Sequence, residues 1–125
     1  MIEGDRITEL ANEPEKVMTP SASGRGQEFV RCPKCRLALW SHYSSAGPVI
    51  KFVRVGTLDQ PDHLPPDIHI FTSTKQPWIA LAPGKPVVKN YYDRNEHWPA
   101  ESLARYEALL PAIEAYRLGR EAANA

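Results

Sequence analysis

The chain has 125 residues and a mass of 14.0 kDa, one domain's worth, and 42% of its residues are hydrophobic, enough for a modest core. Fifteen Lys and Arg balance fifteen Asp and Glu, so the formal net charge is zero and the pI is near 6.9, which argues against whole-chain electrostatic attraction to nucleic acid or to an anionic membrane. No apolar run approaches the roughly 18 residues of a membrane span, and the start Met1-Ile-Glu-Gly-Asp-Arg6 lacks the basic-then-apolar pattern of a signal peptide, so a reducing cytoplasm is the expected compartment.

Twelve prolines against seven glycines favour short strands joined by Pro-rich loops over a helical bundle. Ile2, Ile7 and Leu10 suggest short strands, and Val17-Met18 another. Thr19 to Gly26 is a loop of small residues with two glycines. Gln27 to Arg31 then reads as a strand running into Cys32. Leu37 to Tyr43 alternates loosely. Ile50 to Val55 is the best strand in the chain, with Ile50 and Phe52 on one face. Ile68 to Thr72 predicts a third strand of this β-rich stretch. Trp78 to Leu81 and Val87-Val88 are short and Pro-bounded, hence edge or irregular elements. The pattern predicts a helix over 98–123. Pro99 suits its first turn and Glu101 its positive end. Leu103, Tyr106, Leu110 and Ile113 form an amphipathic stripe. Pro111 should kink or split that helix near Leu110. The expected architecture is mainly β with a C-terminal helix, in two parts: a β-rich domain over 1–97 and a helical segment over 98–125.

Both cysteines lie in Cys32-Pro-Lys-Cys35, and three readings of them stay open. A redox dithiol needs its first cysteine at a helix N-terminus, whereas the following residues read as a strand. Half of a structural zinc site fits the flanks, because a strand, a tight turn and a second strand make a knuckle that points two thiolates at one tetrahedral corner. Zinc takes four ligands, however, and the chain has no third cysteine. Two free thiols in a turn are the third reading. His42, His63, His69 and His97 stand at no convincing ligand spacing and read as surface or hydrogen-bonding residues. The three tryptophans, and the turn from Lys75 to Trp78, read as packing.

Taken in order, Cys32-Pro-Lys-Cys35, Val55-Gly-Thr-Leu-Asp59, Pro66-Asp-Ile-His-Ile-Phe71 and Ser73-Thr-Lys-Gln-Pro-Trp78 resemble the glutathione-dependent formaldehyde-activating enzyme family, also called the centromere protein V family. The loop from Thr19 to Gly26, Tyr91-Tyr-Asp93 and Trp98 to Leu103 extend the resemblance along nearly the whole chain. It implies an Mss4-like (β-tent) zinc-binding fold. It also implies carbon–sulfur lyase chemistry, the joining of formaldehyde to glutathione as S-hydroxymethylglutathione, with glutathione as a partner. Family members carry a preceding Cys-x-Cys pair and a Cys-x-Cys-x-x-Cys cluster. The chain is expected to be truncated at its N-terminus, just beyond them. Only Cys32 and Cys35 carry over, as two of four structural zinc ligands. No catalytic residue and no catalytic zinc ligand can be assigned, and Arg36 replaces the family's glycine after the knuckle. The resemblance therefore implies a chain that is weak or inactive alone. Its alternative is a non-catalytic homodimer, linked by a shared zinc or an exposed sheet edge.

Overall fold

A computed structural model describes residues 1–125, except for the side chain of residue 124. Five strands form one antiparallel sheet in the order β1-β5-β4-β3-β2, followed by a long C-terminal helix. The strands are β1 (Ile2–Glu3), β2 (Glu15–Thr19), β3 (Gln27–Arg31), β4 (Ala38–Tyr43) and β5 (Ile50–Val53). The helices are α1 (Arg94–His97) and α2 (Ala100–Asn124). The chain divides into two compact units, Met1–Leu58 with Tyr106–Ala125, and Asp59–Arg105.

The first unit holds the whole sheet. Gly24 and Gly26 take positive φ in the loop that joins β2 to β3, as a tight reversal demands. The β2–β3 register runs from Glu15 opposite Arg31 to Thr19 opposite Gln27. In the β3–β4 pair the register shifts between Val30 and Arg31, so Val30 faces Trp40 but Arg31 faces Ala38. Ser41 faces Phe52 across β4–β5. Strand alternation therefore puts Phe29, Ser41, Ile50 and Phe52 on one face and Val30, Trp40 and His42 on the other. Of the strands expected near the N-terminus, those at Ile2 and at Val17-Met18 form, as β1 and β2, whereas Ile7 and Leu10 lie outside any strand. Gly4–Arg6 is a 3-10 turn, and Leu10 is 92% exposed. Isolated apolar residues without alternation gave that stretch no face to bury.

Helix α2 packs against the Phe52 face through a cluster of Ala46, Ile50 and Ile113, joined by Val49, Phe52, Tyr106 and Leu109. The Pro99 carbonyl accepts the N–H groups of Ser102 and Leu103 at 3.0 and 3.1 Å, starting the first turn. The stripe is Tyr106, Leu109, Ile113. Leu110, expected on it, is 45% exposed, whereas Ile113 is 1% exposed. Both spacings satisfy a 3.6-residue period, and the sheet selects the register one residue earlier.

The helix also runs unbroken through Pro111, against the expected split. Proline deprives the Glu107 carbonyl of its helical donor, but residue 107 is exposed and water can serve it. Packing on both sides of the proline offsets the rest, through Tyr106 and Leu109 before it and Ile113 after. Further on, Arg117 Nε donates to the Ser45 carbonyl at 2.8 Å and Arg120 to the Ser44 carbonyl at 3.4 Å. These bonds tie the last turns to the β4–β5 connection. In that connection Gly47 has φ +52°, and a Cβ there would overlap Cζ, Cε1 and Cε2 of Tyr116. Only glycine fits both constraints.

The second unit is built from turns. The expected strand over 68–72 is a single parallel bridge between His69 and Val87. Phe71 turns into the left-handed region at φ +52° and a 3-10 turn follows at Thr72–Thr74. Phe71, Tyr91 and Tyr92 form an aromatic row with centroid spacings of 6.1 and 4.8 Å. Trp98 Nε1 donates to the Tyr92 hydroxyl at 2.9 Å, and the Asp93 side chain caps α1 by accepting from the Asn95 N–H. Trp78, expected to pack, is 74% exposed. The prolines and glycines around it leave no regular face to cover it.

The two candidate helix registers separate by mutation. Ile113→Ala should cost about 2–5 kcal/mol in urea unfolding, as for other large buried residues, and Leu110→Ala less than about 1 kcal/mol. Equal losses would overturn the packing described here.

Candidate metal centre

The β3–β4 turn brings the two cysteines together. After the register shift, the Cys32 N–H donates to the Leu37 carbonyl at 2.9 Å, and the Arg36 N–H donates to the Cys32 carbonyl at 3.0 Å. The loop between those bonds is tight enough that Arg36 adopts φ +64°, a left-handed backbone that side chains resist. This is the position at which the resemblance expects glycine.

The turn aims backbone donors at sulfur. The N–H groups of Cys35 and Lys34 hydrogen-bond to the Cys32 sulfur, and the Cys35 side chain reaches it as well. These bonds hold the Cys32 thiol below its usual pKa, the Cys35 N–H contributing most. Both cysteines are free thiols, Cys32 half-buried and Cys35 exposed. A strand, not a helix, follows the turn, so the helix dipole that activates redox dithiols is missing here.

Glu15, on the neighbouring strand, secures the turn from outside. Its carboxylate accepts from Arg31 Nε at 2.7 Å and also from Arg36. The Arg31 bond first, then the Arg36 bond, pull the Glu15 pKa down to about 2. The sequence reading missed this residue. Glu15 and Arg36 stand 21 positions apart, and only the β2–β3 register makes them neighbours.

Cys32 and Cys35 thus supply two sulfur donors at one corner, half of a tetrahedral set. Among the described residues no group of three or more His, Cys, Asp or Glu is placed to hold a metal ion. None of the four histidines belongs to the turn itself: His63 is in a 3-10 turn, His69 at the bridge, and His97 at the end of α1, 5.8 Å from Tyr92. His42 sits on β4 and is 7% exposed, and its Nδ1 lies 2.9 Å from Glu28 Oε1 on the paired strand. The ring donates and the carboxylate accepts. His42 is therefore a buried, carboxylate-held residue of the sheet, not a surface one.

A family model described as glutathione-dependent formaldehyde-activating enzyme matches residues 1–74, more than half of the chain. The chain belongs to that family. The matched residues contain all five strands and the cysteine turn, whereas α2 lies beyond them. No curated protein and no solved structure matches the chain. In this member of the family, the described residues include no helix long and apolar enough to cross a membrane.

Two measurements probe the supports of this turn and its sheet. Because the Glu15 pKa is depressed on folding, its stabilisation is whole above its usual value of 4.5 and is lost as pH falls toward 2. Thermal melting of the wild type should weaken through that window, and Glu15→Gln should lose most of that pH dependence. Glu28→Ala should destabilise by about 1–3 kcal/mol, because it strands a buried imidazole donor. Urea unfolding checks it, and a change within error would show that the Glu28–His42 bond is idle.

Proposed function

We propose that this family member is an Mss4-like zinc-thiolate protein whose Cys32 and Cys35 are two structural zinc ligands. One observation carries the reading: the Cys32 sulfur is met by two backbone N–H groups inside a turn closed in the left-handed region. Such bonds stabilise a thiolate, and a thiolate is the form that binds zinc. A pair of thiols without a metal role gains nothing from that closure, which forces Arg36 into an unfavourable backbone. When bound, zinc would fasten the two ends of the Cys32–Cys35 turn to a common centre.

The chemistry proposed at family level is carbon–sulfur lyase chemistry. The glutathione sulfur attacks the formaldehyde carbon, the thiol proton passes to the carbonyl oxygen, and S-hydroxymethylglutathione is released. The chain's only two cysteines are both in the knuckle, and its residues offer no second thiolate cluster to activate a thiol. The reading is therefore of a metal-holding family member with weak or no turnover by itself.

Metal analysis and turnover test these two parts separately. Reduced protein purified with zinc should retain the metal, lose it to a chelator, and fail to retain it as Cys35→Ser or Cys32→Ser. Formation of S-hydroxymethylglutathione should stay near the uncatalysed rate. Zinc-free protein with two freely titrating thiols would overturn the metal assignment. Turnover well above background would overturn the inactive reading and leave the metal assignment standing.

A further inference from the structure

We propose that Arg117 and Arg120 of α2, with the Ser44–Ser45 segment they hold, form a binding site for a small, doubly charged tetrahedral oxyanion, the phosphate group of a phosphomonoester. The site lies at the other end of β4 from the cysteine turn and does not depend on a metal there.

The helix sets the charges in place. Ile113, Tyr116, Arg117 and Arg120 follow one another at i, i+3, i+4 and i+7, so they share one face of α2. That face meets the sheet through Ile113 and turns basic in the last turns. Like charges at this spacing on a helix repel each other. Both guanidiniums are nevertheless drawn to one two-residue segment. Arg117 Nε donates to the Ser45 carbonyl at 2.8 Å, and Arg120 to the Ser44 carbonyl at 3.4 Å, which is long for such a bond. Neutral carbonyls leave the two positive charges unbalanced, and an anion between the forks would balance them.

Donors remain for such a ligand. A guanidinium carries five N–H groups in a planar fork that matches phosphate oxygens, and each carbonyl here accepts from one of them. Arg117 and Ser45 are exposed and Arg120 is half-buried, so an ion can approach from solvent. The Arg120 guanidinium lies 5.9 Å from the Tyr116 ring centre, and Tyr116 is itself packed against Gly47. The forks are thus ordered before a ligand arrives, which lowers the cost of binding. Glu114 and Glu121 are the acidic residues of these turns. Glu114 Oε2 stands 3.9 Å from Arg117, beyond hydrogen-bond reach, and Glu121 is exposed. Exposed pairs of this kind neutralise little.

Charge and shape decide the class of ligand. Two guanidiniums carry two positive charges, which a phosphate dianion matches and a monocarboxylate leaves half unmatched. A tetrahedral oxyanion also offers oxygens to both forks at once, whereas the two oxygens of a carboxylate are taken up by a single fork. The zero net charge of the chain argues against a polyanion, so the ligand carries a single phosphate group rather than a nucleic-acid backbone.

The experiment follows the arginine Nε–H and backbone amide resonances of the full chain by NMR at low ionic strength, during titration with inorganic phosphate, phenyl phosphate and acetate. The expected result is a saturable shift at Arg117, Arg120 and Ser45 with both phosphates, and binding of acetate about ten-fold weaker or less. Added sodium chloride should weaken the phosphate response, as for any exposed ionic site. Arg120→Gln should lower phosphate affinity several-fold while keeping the circular dichroism of the wild type. Glu114→Gln, which removes the competing carboxylate, should raise it, a gain that misfolding cannot mimic. Shifts that stay linear in phosphate concentration would mean an adventitious ion only and overturn the site. Equal affinity for acetate would overturn the dianion assignment, and phosphate affinity unchanged in both variants would overturn the role of the arginines.

Discussion

Arg36 closes the β3–β4 turn in a left-handed backbone, and Glu15 holds it there. The arrangement of the two sulfurs depends on that closure. The register shift after Val30 ends the regular ladder and narrows the hairpin. The narrow loop then needs a residue with positive φ, and the N–H groups that the closed loop exposes converge on Cys32. Glycine would take that conformation freely. With arginine in its place, the side chain reaches back to the Glu15 carboxylate on β2, which also holds Arg31. The strain of the turn is thus balanced by a contact that only the assembled sheet can provide, so the site is a product of tertiary structure as much as of its four-residue motif.

The sheet has two unlike faces. One carries Phe52 and Ile50 and receives the helix. The other carries Val30 and Trp40, both buried, together with the Glu28–His42 pair. Trp40 also lies under the Lys51 ammonium, 5.1 Å from the ring centre, a cation–π contact that keeps a charged residue on an otherwise apolar strand. The cysteine turn lies at one end of the β3–β4 hairpin, and the 3-10 turn at Gly47 lies beyond the other end of β4. The helix anchors this second end through Arg117 and Arg120. The two ends of β4 are therefore fixed by different means, one by ion pairing at the knuckle and the other by helix docking.

Much of this was readable from residue order. The strand from Gln27 to Arg31, the pairing of Ile50 with Phe52 on one face, and the long helix all follow from alternation or a 3.6-residue period. The family was readable from ordered short motifs. What stayed hidden depends on contacts far apart in sequence. Leu109 and Leu110 serve a helical stripe equally well until the sheet chooses one. Pro111 signals a break that packing on both sides overrides. His69 lies in an apolar run that looks like a strand but meets only one bridging partner. Glu15 carries no local mark of its role, and His42 looks like any scattered histidine until Glu28 comes opposite it. Local pattern identified the pieces, and the register between strands determined which side chains meet.

The contact between Gly47 and Tyr116 has a consequence of its own. The glycine lies against the face of the tyrosine ring, with Cζ, Cε1 and Cε2 nearest to where a side chain would stand. Aromatic electrons circulating in that ring set up a local magnetic field that shields whatever sits above it. The α-protons of Gly47 lie within that shielded zone only while the last turns of the helix rest on the sheet, so their resonance frequency is a built-in gauge of helix docking in solution.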